Sequence, residues 1–171
     1  MAAGDIKLGT AASSALTITL ASLAASSTWA VGRESASVDN TTNLYLDYLL
    51  SGKVTTGTGP TAGVIEVWVA GIMEDTPTWP DVFAGADAGR TITAPVADVK
   101  AAALKLAFIV NTDTTANRTY WFAPVSVASL FGGVCPLKFS IFVTHSTVAV
   151  IHATGTNHAF WIKPIFQTVA P

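Results

Sequence analysis

Val64-Ile65-Glu66-Val67-Trp68-Val69 is a run of β-branched and aromatic residues. These residue types fit a pleated, half-buried strand. The turn-forming run Thr55-Thr56-Gly57-Thr58-Gly59-Pro60 leads into it. The same strand signature recurs on either side. Leu44, Leu46, Tyr48 and Leu50 alternate with Asn43, Tyr45 and Asp47, and Leu16-Thr17-Ile18-Thr19-Leu20 alternates earlier. Leu104, Leu106, Phe108 and Val110 alternate with Lys105, Ala107 and Ile109, and Phe139, Ile141 and Val143 with Ser140, Phe142 and Thr144. Period two is strand behaviour. Val148 to His152 and Ala159 to Phe166 read as a closing hairpin across the loop Ala153–Asn157.

Helix signals are short. Val96 to Leu104 predicts a turn or two after Pro95, and Ser126 to Phe131 one turn stopped by Gly132-Gly133. Glu74 to Ala94, with Pro77, Pro80, Gly85 and Gly89, reads as a long excursion loop. Eight or more strands at this spacing predict an all-β, single-domain antiparallel β-sandwich or barrel. Residues 1–14 read as a polar-small N-terminal arm, and residues 15–171 as the sandwich domain.

The 171 residues are 50% hydrophobic and only 12% charged, with a net charge of −2. A chain of this length exposes roughly 8,000 Å² when folded, so each charge serves about 400 Å². That balance excludes a whole-domain electrostatic partner such as bulk nucleic acid. Tyr45, Trp68, Tyr120 and Trp161 stand beside residues that already fill one strand face. Strands apolar on both faces are covered twice, and the expectation is that other subunits cover the second face. The single cysteine, Cys135, excludes an intrachain disulfide and a cysteine-based zinc site, and it reads as a buried thiol.

The 25 uncharged residues between Lys7 and Arg33 are broken by Thr10, Ser13, Ser14, Thr17 and Thr19. They match neither a signal peptide nor a membrane-spanning helix, so the chain reads as soluble and unprocessed. Chemistry-bearing patterns are sparse. No GxSxG frames a nucleophile. His145, His152 and His158 are spaced by seven and six with no acid beyond Asp113, which predicts structural or surface roles and no metal. Glu74, Asp75 and Asp81 near Trp68 and Trp79 superficially match a sugar-cleaving platform, but acids in Pro/Gly loops read first as solvated turn formers. No phosphate-cradling loop is present. The expectation is a non-enzyme without cofactors. Its interface residues are expected to be Trp79, Phe83 and Asp81 of the long loop, Trp68, and Ile6 and Leu8 of the arm.

Three groups of residues carry a resemblance that spans nearly the whole chain. The first is Trp29-Ala30-Val31-Gly32-Arg33-Glu34-Ser35 with Val38-Asp39-Asn40-Thr41-Thr42 and Tyr45-Leu46-Asp47. The second is Ala116-Asn117-Arg118-Thr119-Tyr120 with Pro124-Val125-Ser126-Val127-Ala128-Ser129-Leu130-Phe131-Gly132-Gly133. The third is Val143-Thr144-His145, Gly155-Thr156-Asn157-His158 and Pro164-Ile165-Phe166. Together they resemble small structural proteins of tailed bacteriophages. The resemblance implies a jelly-roll-like sandwich acting as a capsid cement or decoration protein on the virion's outer surface, assembled in the host cytoplasm. It implies the major capsid protein and further copies of the chain as partners, with no nucleic acid, no membrane and no catalytic residue. A tail or fibre position uses the same fold. A carbohydrate-binding module stacking sugars on Trp68, Trp79, Trp121 or Trp161 is the alternative of another class.

Overall fold

The structure, a computed structural model, describes residues 6–74 and 78–169, with residues 6–8 and 168–169 described by their backbone. Among the described residues eleven strands and two short α-helices follow in order, with one 3-10 turn at Gly155–Asn157. They are β1 (Ile6–Thr10), β2 (Ser14–Leu16), β3 (Val31–Glu34), β4 (Val38–Asp39), β5 (Asp47–Thr55), β6 (Gly63–Ile72) and β7 (Ala88–Thr91). Then come α1 (Val96–Ala103), β8 (Leu104–Thr112), β9 (Thr119–Ser126), α2 (Val127–Leu130), β10 (Lys138–His145) and β11 (Ala159–Val169).

The strands form two antiparallel sheets packed face to face. Sheet I runs β1-β11-β5-β9, with β2 on β11 beside β1. Sheet II runs β7-β3-β10-β6-β8, with β4 on β10 beside β3. The pairings nest around the chain's middle. β6 pairs β8, β5 pairs β9, β3 and β4 pair β10, and β1 and β2 pair β11. Between the sheets lies one core containing Leu50, Val54, Phe122, Phe160 and Ile162 from sheet I. Sheet II supplies Ile65, Val67, Val69, Phe139, Ile141 and Val143.

Sheet II has a second core on its outer side. Phe142, Ala70 and Leu104 meet Phe83 and Ile92 there, with Trp68, Trp79, Val96, Val99 and Ala103 packed around them. The covering layer is the described part of the Glu74–Ala94 segment together with α1. This explains why every residue from Phe139 to His145 is buried: β10 has a core on each side. Apolar residues on both faces of β10 are therefore covered by the chain itself, whereas Val31 on β3 and Leu106 and Ile109 on β8 stay exposed.

Several other expectations change with the topology. Val148–His152 is not a hairpin strand. Only Ile151 bridges to Thr56, because β11 already has β5 on one side and β1 and β2 on the other. The arm expected over residues 1–14 is in its described part a pair of edge strands, since Ile6–Thr10 and Ser14–Leu16 both hydrogen-bond to β11 of the same chain. Residues 1–5 lie outside the described residues. The long segment holds β7, paired to β3, so it is an added sheet edge as well as a loop. The helical turns fall where expected. Ser126 caps α2 by accepting from the Ser129 amide, and Gly132 and Gly133 follow at φ 74° and 96°, where a side chain would be strained.

Two buried histidines tie loops to the sandwich in their neutral form. His158 Nδ1 accepts from the Thr55 amide at 3.2 Å, and its Nε2 lies 2.8 Å from the His152 carbonyl. His145 is fully buried, with Nε2 3.0 Å from the Leu23 carbonyl and Nδ1 3.0 Å from the Thr147 hydroxyl. Burial lowers both pKa values below the usual 6.5. The unfolded chain thus binds protons more readily than the native one just below that pH. Stability is fully present above about 6.5 and is lost as pH falls through the depressed native values. The urea midpoint is expected to drop between about pH 7.5 and 5, and His158→Asn is expected to flatten the slope because it removes one titrating imidazole while its Oδ1 keeps an acceptor for Thr55. A midpoint constant over that range contradicts this account.

Candidate functional site

Sheet I, unlike sheet II, has no covering layer among the described residues. Period two on β5 turns Tyr48, Leu50 and Val54 inward and leaves Leu49, Ser51 and Lys53 outward. On β11, Phe160 and Ile162 enter the core while Trp161 and Lys163 face out. On β9, Tyr120 and Phe122 point in and Trp121 points out. Register then assembles the face: Lys53 sits between Trp121 and Ala159, and Ser51 stands opposite Trp161.

The two indoles are nearly parallel, 10° apart with ring centroids at 6.4 Å. Trp121 is 67% exposed, a large value for the residue type most costly to leave in water. Lys53 Nζ lies 5.6 Å from its ring centroid, a cation–π contact. Trp161 is the ridge between two shallow depressions. One, of about 320 Å³, is bounded by Ser13, Leu49 and Lys163; the other, of about 410 Å³, by Gly52, Ala123 and Trp121. Ser51 and Pro124 line both. Ser51, Gly52 and Ala123 are the small residues beside the two rings.

The residues expected at an interface differ in how much surface they offer. Phe83 is only 5% exposed and meets Phe142 edge-on, centroids 5.5 Å apart, so it anchors the covering layer to its own sheet and has no surface for a partner. Trp79 is half-buried in the same layer, its ring against Gly85. Asp81 is exposed and accepts from the Thr93 amide at 3.0 Å; hydrogen bonding from the Thr93 side chain, and less from that amide, lowers its pKa. Trp68 is half-buried, donating from Nε1 to Glu66 at 2.8 Å. Glu66 in turn pairs with buried Lys100 of α1 at 2.8 Å, and the ammonium lies 4.9 Å from the Trp68 ring and 5.7 Å from Trp29. That cluster latches α1 to sheet II. Ile6 and Leu8 take register positions opposite Val169 and Gln167 on an edge strand, and their side chains lie outside the described residues.

Glu34 was not singled out by any sequence pattern. It is completely buried on β3, and its carboxylate accepts from the Gly85 amide at 2.7 Å, the Ala84 amide, Ser140 Oγ at 3.0 Å and Arg90 Nε at 2.6 Å. Its role is to bind the covering layer to β3 and β10. Cys135 is a buried free thiol whose pKa is pushed up to about 12 by burial and by the nearby Asp47 charge. Among the described residues no three His, Cys, Asp or Glu side chains converge as metal ligands do, and no helix is long and apolar enough to cross a membrane.

Fold and site together define an all-β, two-sheet sandwich with one sheet covered by its own chain and the other presenting a bare tryptophan face. No protein-family model matches the chain, and no curated protein matches it.

Proposed function

We propose that the chain is a structural virion protein of a tailed bacteriophage, a capsid cement or decoration protein that binds the outer shell and ties major capsid subunits together. The observation that carries this reading is the Trp121–Trp161 face, left bare on a chain with nine basic and eleven acidic side chains over 8336 Å² of surface. A monomer in water gains nothing from such a face, whereas an assembly buries it. The nested strand pairing supports a jelly-roll reading of the sandwich, an architecture used by viral capsid and lectin domains. In this reading the work is mechanical: there is no catalytic step and no cofactor, and weak contacts add up over many copies. The test uses capsids of the phage that encodes the chain, assembled without it. Added chain is expected to decorate them and to raise the temperature at which they rupture. No binding to shells, or binding that leaves that temperature unchanged, overturns the reading, and binding to tails alone moves the protein to the tail or fibre.

The parallel indole pair favours one second reading, a carbohydrate-binding module, because flat indoles also stack on sugar rings. Glycan-array hits lost in Trp121→Ala, with no capsid binding, select it.

A further inference from the structure

We infer that the neighbour covering the tryptophan face is a second copy of this chain, docked head to tail through the covering layer on its opposite side. This rests on the assembly reading above and names the partner of that face. The argument is one of charge. Arg33, Arg90, Lys100, Arg118 and Lys138 are neutralised by carboxylates within the chain. Lys53, Lys105 and Lys163 make no ion pair among the described residues. Two of these three stand on the outer face of sheet I, four residues apart along the strands and so about 13 Å from each other, on either side of Trp161. The nearest carboxylate on those strands, Asp47, is turned onto the amides of Tyr48 and Ala128. Lys105 lies on the edge strand β8, away from that face.

The excess of the other sign lies across the molecule. Glu74, Asp81 and Asp98 are exposed and make no ion pair among the described residues. Glu74 opens the covering segment, Asp81 sits within it, and Asp98 is in the first turn of α1. Apolar surface accompanies them: Met73 is 56% exposed beside Glu74, and half-buried Trp79 and Pro80 precede Asp81. One side of the sandwich is thus aromatic with free cations, and the other is partly apolar with free carboxylates. Two copies of the cationic side repel each other, which disfavours a two-fold contact. A cationic side against an acidic side is complementary, and since the two point in opposite directions the contact repeats from copy to copy.

Sedimentation equilibrium on the purified full chain tests this. The weight-average mass is expected to rise above the monomer's 17.7 kDa with concentration at about 50 mM salt and to fall back at about 0.5 M. Lys53→Glu/Lys163→Glu and Glu74→Lys/Asp98→Lys are each expected to weaken association by roughly tenfold or more. Asp81 is left in place because it caps Thr93 at φ 50°. An equimolar mixture of the two variants, and the fourfold charge-swapped variant, are expected to associate again. Circular dichroism checks that each variant is folded, and Trp121→Ala is expected to weaken association without any charge change. A wild type monomeric to about 1 mM overturns the inference. So does a folded Glu74→Lys/Asp98→Lys variant that still associates, or a folded fourfold variant that does not. Copies that decorate capsids singly overturn this inference alone, while copies that associate in this pattern but ignore capsids overturn only the virion reading.

Discussion

Glu34→Ala is expected to destabilise the fold by about 3–5 kcal/mol, the usual cost of removing one partner from a buried ion pair. The carboxylate has no solvent contact, and four donors converge on it. Its loss leaves the Arg90 guanidinium, only 19% exposed, without its counter-charge. The Ala84 and Gly85 amides and the Ser140 hydroxyl lose their acceptor as well. The damage should begin locally, because these donors belong to the covering layer and to β10. Phe83 and Phe142 would lose the lid that keeps them dry, and proteolysis between Trp79 and Ala94 should quicken before global unfolding. Glu34→Gln retains the shape and some acceptors and should cost less. Urea denaturation measures both, and a loss below about 1 kcal/mol for Glu34→Ala shows that the layer holds without this carboxylate.

Trp121→Ala/Trp161→Ala should do the reverse. Trp121 is mostly exposed and Trp161 half-buried, so the double variant is expected to lose only about 1 kcal/mol of stability. Its self-association should weaken by roughly 100- to 1,000-fold, and the number of copies held on a capsid should fall with it, since buried tryptophans at interfaces contribute about 2 kcal/mol or more each. Trp68→Ala is the contrasting control. It breaks the Glu66–Lys100 latch of α1, so it should destabilise the fold while leaving the indole face intact. A double variant that decorates capsids as well as wild type removes the face from the assembly mechanism.

Most of the strand content was legible because period-two alternation is written locally. The strands at 47–55, 63–72, 104–112, 138–145 and 159–169 all fall on such runs, and both short helices sit where Pro95 and Gly132-Gly133 delimit them. The strands at 31–34, 38–39 and 88–91 were not, because they are two to four residues long and owe their pairing to β10 and β3; those at 6–10 and 119–126 were missed too, and the alternation at Leu16–Leu20 gives a strand only up to Leu16. The tryptophan face was half legible. Trp121 lies between Tyr120 and Phe122 and Trp161 between Phe160 and Ile162, so alternation alone sends one aromatic of each group outward. That the two meet required register between β9, β5 and β11.

The amino-acid sequence by itself determined the all-β class, the single free cysteine and the scarcity of charge, since these depend on residue type and short-range spacing. Tertiary structure alone decided which apolar face is covered by the chain and which is left bare. Trp68, Trp79, Trp121 and Trp161 are equivalent as letters. The first two lie under or within the layer that Glu34 and Lys100 fasten over sheet II, and the last two stand on sheet I, where nothing described in the chain returns. Burial is a long-range property, set by which segments the topology brings together, and no local pattern encodes it.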